Sequence, residues 1–568
     1  MPETPIKSAI EQLPAADPVA FWRELAQGAF AGPLAPLELA PAFTDVIGHL
    51  ALTPAYVGEM ARSAISQGAR ALSPDAAPLT DKEDHRFADP AWRVPPFSLY
   101  ARNFQLIEQW VNDCILHTPG VSEADGKRAA FAARQWLDAF APSNLPWTNP
   151  EILRATLNQG GRNFLRGLHH FVRDAQHQFN PHLANEMESF VVGRDVAVTP
   201  GAVVLRNDLM ELIQYSPTTS QTRPEPLLIV PAWIMKYYIL DLSPHNSLIR
   251  YLVGRGFTVF CISWRNPGAE LAETTFDDYR RLGPMAALDA IKAICGPHRI
   301  HSLGYCLGGT LLSIAAATMA REGDQSLASV GLLAAQTDFS EPGELKIFID
   351  EPQLDALDAI MAQQGYLDAR QMAGAFSMLH ARDLVWSRMV KLYLLGEEEH
   401  PNDLMAWNAD ATRMPYRMHS HYLRALFLHN DLAEGRFQAG GGPVDLAAID
   451  APIFAVGTEE DHVAPWRSVF KIHRLNKGDV TFLLASGGHN GGIVSEPGRR
   501  NRSYRIARRP QGGDALTPQD FLAKAAQNPG SWWPAYADWL SALSGPYDTP
   551  PPMGSALCAA PGTYVLET

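Results

Sequence analysis

Apolar residues in the first ~190 positions recur at three- and four-residue spacing, the signature of helices that bury one face. The stretches "DPVAFWRELAQGAF", "PAYVGEMARSAISQGARAL", "SLYARNFQLIEQWVNDCIL" and "ILRATLNQGGRNFLRGLHHFVRDA" carry this period. Breakers such as "ADPAWRVPP" and "APSNLPWTNP" separate them. After "VGRDVAVTPGAVV" the pattern changes to short apolar runs alternating with helical stretches, which predicts βαβ units and a parallel sheet. "PLLIVPAW", "FTVFCISW", "IHSLGY", "SVGLLAAQTDF", "PIFAVGTEED" and "VTFLLASGGH" are the expected strands. Between 338 and 437 the strand pattern stops, and helical sequence rich in aromatics and methionine is expected to form a cap above the sheet. The expected organisation is a mainly helical N-terminal domain over 1–190, then an α/β domain over 191–568 with a cap at about 338–437.

Composition narrows the class. The 568 residues exceed what one compact core holds, and 46% hydrophobic with 19% charged residues is a globular balance. A net charge of −14 argues against nucleic acid as a partner, which needs a basic surface. No stretch approaches the ~18 apolar residues of a membrane span, and "MPETPIKSAIEQLPAADP" has no apolar signal core, so a cytoplasmic protein without an integral membrane segment is expected. Cys114, Cys261, Cys295, Cys306 and Cys558 are odd in number and widely spaced. That fits neither a disulfide framework nor a zinc site; no metal or cofactor is expected.

One cysteine stands apart. "GYCLGG", Gly304 to Gly309, has the frame of the G-x-S-x-G nucleophile elbow with Cys306 in the serine position. It lies between an expected strand and the helix "LGGTLLSIAAATMA", which is the strand–turn–helix context an elbow requires. Elbow folds place an acid and then a histidine downstream, at strand ends. Asp461 closes "PIFAVGTEED", and His489 lies in the glycine-rich "ASGGHNGG". Glu459, Glu460 and His462 flank Asp461, and Asp338, ending an earlier strand, is the rival acid. A histidine beside a thiol favours the thiolate, the nucleophilic form. A thiol exchanges with a thioester at little free-energy cost, and passing the acyl group to an alcohol is downhill. The constellation therefore suits acyl transfer from a thioester to a hydroxyl.

With these residues in view, the chain resembles the polyhydroxyalkanoate synthases, whose modified lipase box reads G-x-C-x-G-G. The resemblance runs in order through "RFADPAWR", "APSNLPWTNP", "IVPAWIMKYYILDLSP", "ISWRNP", "GYCLGGT", "DLVW", "AWNADATRMP", "EDHVAPW", "ASGGHNGG" and "GSWWPAYADWL". It implies an α/β-hydrolase fold and polymerisation of (R)-3-hydroxyacyl-CoA, with 3-hydroxybutyryl-CoA the expected monomer. The single long chain looks like class I, which works without a second subunit type. By the resemblance Cys306 carries the acyl chain, His489 is the base, Asp461 completes the triad, and His462 follows the family's aspartate. The helical domain would serve granule association and a homodimer.

The oxyanion is expected on the backbone N–H of Leu307 and one from the Trp233–Ile234 loop. Trp386, Tyr393, Trp407, Tyr416, Tyr422 and Phe427 are candidates for a water-excluding lid. Arg388, Lys391, Arg413, Arg417 and Arg424 are candidates for the coenzyme A phosphates. Two departures from the family are evident. Met235 stands where "PPWINK" has asparagine, and "LHARDLVW" has His380 for arginine and Arg382 for asparagine. Either Arg382 substitutes for the missing phosphate contact or the affinity for phosphate is weaker. The competing readings are a cysteine-dependent ester hydrolase, such as an intracellular depolymerase of the same polymer, and an inactive granule-coat protein.

Overall fold

The computed structural model of the chain describes residues 36–72, 84–179, 190–369, 371–372 and 385–568. The expected helix over 17–30, His380 and Arg382 lie outside the described residues. Contacts divide the chain into two compact units, 1–185 with 370–400, and 186–369 with 401–568.

The first unit is helical. Its helices are α1 (Pro36–Leu52), α2 (Pro54–Leu72), α3 (Phe97–Leu116), α4 (Glu123–Ala139), α5 (Pro150–Gln159) and α6 (Arg162–Phe179). The sequence pattern joined the last two into one helix. They break at Gly160 and Gly161, both at positive φ (57° and 79°), where glycine avoids the Cβ clash of the left-handed region. The buried Arg86 guanidinium binds Asp84, Glu108 and Asp138, tying the start of this unit to α3 and α4. The segment 385–400 packs on α6: Asn163 donates to the Leu394 carbonyl (2.8 Å), and Tyr393 donates to Asp174 (2.8 Å). Gly167 permits this approach, since a Cβ there would sit 1.9 Å from the Tyr393 carbonyl oxygen.

The second unit has an α/β-hydrolase fold built on a mixed sheet. Its strands are β1 (Gly201–Arg206), β2 (Met210–Tyr215), β3 (Leu227–Val230), β4 (Val259–Trp264), β5 (Ile300–Tyr305), β6 (Leu327–Leu333), β7 (Ile453–Thr458), β8 (Val480–Ala485), β9 (Ser503–Arg509), β10 (Gln527–Pro529) and β11 (Cys558–Ala559). They lie in the order β10-β9-β8-β7-β6-β5-β3-β4-β2-β1-β11. The run β4-β3-β5-β6-β7-β8 is parallel. Those six strands are buried along their whole length, as parallel strands covered on both faces must be. The outer strands are antiparallel. No helix among the described residues is long and apolar enough to cross a membrane.

Candidate active site

Three loops at the carboxyl ends of the parallel strands meet at one point, the usual location for chemistry in such sheets. β5 ends at Tyr305 and α7 (Leu307–Arg321) begins two residues later. Cys306 makes the turn alone, at φ 53° and ψ −123°. A non-glycine residue there is strained by about 1–3 kcal/mol and must be held by its surroundings. Its N–H donates to the Leu333 carbonyl on β6 (2.8 Å), and its carbonyl accepts from Gly309 (2.9 Å). The flanking glycines let strand and helix touch. A Cβ on Gly304 would lie 2.3 Å from the Gly309 Cα, and one on Gly308 would lie 2.1 Å from the Val230 carbonyl oxygen. Held in this way, the half-buried Cys306 is presented at the mouth of the turn.

Asp461 follows β7, and its carboxylate is saturated. Oδ1 accepts from the Val463 and Ala464 amides (2.9 and 2.8 Å), and Oδ2 accepts from the Thr458 hydroxyl (3.0 Å) and stands 2.8 Å from His489 Nδ1. Burial favours the neutral acid, but His489 and these donors prevail, and the carboxyl titrates below its ordinary value. His489 is hydrogen-bonded to that carboxylate, and Cys306 acts on its titration both as a charge and as a hydrogen-bond partner. Burial opposes its cation. The charges of Asp461 and Cys306, with the two hydrogen bonds, outweigh burial and raise its pKa well above the imidazole range. Asp338 is engaged elsewhere, accepting from the Ser340 amide and hydroxyl and from Asn430, close to Lys471.

Sequence reasoning missed part of this arrangement. Tyr305, the residue before the nucleophile, packs its ring 5.6 Å from that of His489 and donates to Asn490 Oδ1 (2.6 Å). The signal was present, since these are the x of the elbow and the neighbour of the histidine. Tyr422, one of the lid candidates, is buried, and its phenol pKa is raised first by burial and then by the charge of Cys306. Phe427 packs on Tyr422 and Phe339 (5.4 and 4.9 Å). Trp407 is buried and donates to the Lys236 carbonyl (2.7 Å), whereas Trp386 and Tyr393 belong to the helical unit. Tyr416 lies beneath the Arg417 guanidinium (5.9 Å).

Leu307 is the first residue of α7, where an N–H has no acceptor within its own helix. Ile234 lies in the loop after β3, and its carbonyl accepts from the Thr412 amide (3.4 Å). His462 is exposed, with its backbone oxygen against Gly343. Among the described residues, the arginines suggested for phosphate binding have protein partners. Arg413 donates to the Thr568 backbone oxygen and lies over Tyr366. Arg417 pairs with Glu273 (2.9 Å), and Arg424 with Glu351, Asp355 and Asp358. In the helical unit, Arg388 pairs with Asp174 and Glu399.

Comparison with known proteins bears on the family and the fold. Residues 83–252 match the family described as the poly-beta-hydroxybutyrate polymerase (PhaC) N-terminus, and residues 225–495 match the alpha/beta hydrolase fold. The chain is 42% identical over 498 residues to the poly(3-hydroxyalkanoate) polymerase of Methylorubrum extorquens, covering 86% of this chain and 81% of that one. It is 37% identical to the poly(3-hydroxyalkanoate) polymerase subunit PhaC of Cupriavidus necator (92% and 90% covered) and 33% identical to poly(3-hydroxyalkanoate) polymerase 2 of Ectopseudomonas oleovorans (88% and 89%). An elbow cysteine with its histidine and aspartate, on this fold and at this likeness over most of both chains, leads to one assignment: the chain belongs to the poly(3-hydroxyalkanoate) polymerases, and is a transferase enzyme.

Proposed function

We propose that the chain polymerises (R)-3-hydroxyacyl-CoA, with 3-hydroxybutyryl-CoA as the monomer, through a Cys306–His489–Asp461 triad. The observation that carries this reading is His489, bonded to Asp461 at 2.8 Å through Nδ1, with its pKa raised by Asp461 and Cys306 together. His489 takes the thiol proton, and the Cys306 thiolate attacks the thioester carbonyl. The oxyanion lies on the N–H groups of Leu307 and Ile234, the elbow pair of this fold. The C–S bond to coenzyme A breaks, and the departing thiolate takes the proton from His489. His489 then accepts the proton of an incoming hydroxyl, whose oxygen attacks the acyl-cysteine. The new oxoester leaves, and the cysteine sulfur recovers the proton.

The raised pKa of His489 suits this cycle because its imidazolium balances the thiolate. Tyr422, buried and within reach of the Cys306 charge, and Phe427, packed on it, are suited to keep out water that would otherwise hydrolyse the acyl-enzyme. Arg382, Arg413 and Arg417 are the candidates for the coenzyme A phosphates, and His462 for an accessory polar group. Arg417 would exchange Glu273 for phosphate; the pair is exposed, so little is lost in the exchange.

The helical unit exposes Trp136, Phe140, Trp147, Leu157 and Leu165 by 63% or more, which supports attachment to an apolar polyester granule in the cytoplasm and a class I homodimer. Purified protein given (R)-3-hydroxybutyryl-CoA should release coenzyme A thiol and turn cloudy. Thiol release from a solution that stays clear would identify a hydrolase instead.

A further inference from the structure

The loop that carries Ile234 is fixed from two directions, and one of them is the distant C-terminal segment. From one side, residues 407–412 run along the loop. Thr412 donates its hydroxyl to the Trp233 carbonyl (2.5 Å) and its amide to the Ile234 carbonyl (3.4 Å), and Met235 bridges Ala411. Trp407 holds the Lys236 carbonyl, and Tyr238 donates to Asp410 (3.0 Å). From the other side comes Lys236 itself. It is only 3% exposed, and its ammonium donates to the backbone oxygens of Tyr564 (3.5 Å) and Glu567.

A buried ammonium without acceptors is costly, so this lysine and that segment need each other. The segment has its own anchors. β11 pairs with β1, and the fully buried Glu211 accepts from the Thr563 and Tyr564 amides (2.8 and 3.1 Å) and from the Thr563 hydroxyl (2.8 Å). Further on, Glu567 accepts from the Asn266 amide (3.1 Å), while the Asn266 side chain accepts from the Arg413 amide (2.9 Å) next to Thr412. The C-terminal segment thus reaches both the loop and the strap that holds it.

We propose that residues 563–568 are a clasp that acts through Lys236, a positioning residue, to keep the Ile234 N–H aimed at the reacting carbonyl. This rests on Ile234 being an oxyanion donor. Removing such a donor outright costs roughly 10²–10³ in turnover, so a small displacement matters. Lys236 touches neither thiol nor histidine, and the clasp serves the reaction only through the geometry of the loop.

The test uses the full chain, Lys236→Met, a chain ending at Thr563, and the two changes combined, with CoA release from (R)-3-hydroxybutyryl-CoA as the readout. Each single change should lower kcat about tenfold or more while KM stays within about twofold. The combination should be no worse than the shortened chain alone, because that chain already lacks the Lys236 contact. Alkylation of Cys306 by iodoacetamide should keep its parental rate, which separates failure of the clasp from failure of the nucleophile. Amides of residues 233–238 should exchange faster in Lys236→Met while those of β5 do not, a result that does not depend on the shortened chain folding. Parental kcat in Lys236→Met, unchanged exchange in that loop, or kcat losses that multiply would each overturn the proposal.

Discussion

Asp461 Oδ2 and His489 Nδ1 stand 2.8 Å apart, and the carboxylate that makes this contact is held by two backbone amides and a hydroxyl. A carboxylate so fixed sets the tautomer of the imidazole and stabilises its cation. Asp461→Asn should therefore lower turnover far more than Asp338→Asn. The serine-protease counterpart loses ~10⁴ in rate, and a thiol nucleophile needs less help. Steady-state CoA release by the two variants checks this. A more damaging Asp338→Asn would put the acid on the earlier strand.

Tyr305 contributes through position alone. Its hydroxyl holds Asn490, the neighbour of His489, at 2.6 Å, and its ring lies beside the imidazole. Tyr305→Phe keeps the ring and loses the bond, so kcat should fall by about three- to tenfold, the worth of ~0.5–1.5 kcal/mol. KM should hold. A parental kcat would show that the loop keeps His489 in place without this anchor.

Buried histidines outside the triad predict how stability changes in acid. Burial pushes His301 and His473 down to about 4 and His419 to about 3, with arginine charges adding to the first two. Unfolded, each binds a proton near 6.5, so their contribution is complete above that pH and is lost as pH falls toward 4. His473 has no hydrogen-bond partner on either ring nitrogen and packs 4.5 Å from Phe470. His473→Phe should be neutral in Tm at pH 7.5 and raise Tm at pH 5. An equal Tm change at both pH values would rule out its protonation as a source of acid lability.

The legible parts of the fold were those with one dominant signal. Fully apolar runs placed β3 to β8, and the elbow glycines placed Cys306, because no other residue lets α7 touch β3 so closely. The antiparallel edges were not foreseen. β9 reads "SYRIARR", and its arginines mask a strand whose faces are only partly covered. Asp461 and His489 were proposed from chain order, whereas the Tyr305–Asn490 bond and the contacts of the C-terminal segment with Lys236 were not foreseen. Their roles depend on contacts between residues more than a hundred positions apart, for which local periodicity carries no information. The partners of the cationic candidates were hidden for a related reason: sequence shows Arg388, Arg417 and Arg424 but not the carboxylates that hold them.

The central claim is that Cys306 is the acyl carrier, and CoA release from (R)-3-hydroxybutyryl-CoA by Cys306→Ala tests it most directly. The account predicts no release above the uncatalysed rate, with Cys261→Ala and Cys295→Ala near the parent, since those thiols lie away from the elbow and burial raises their pKa values. Sustained release by Cys306→Ala would contradict it.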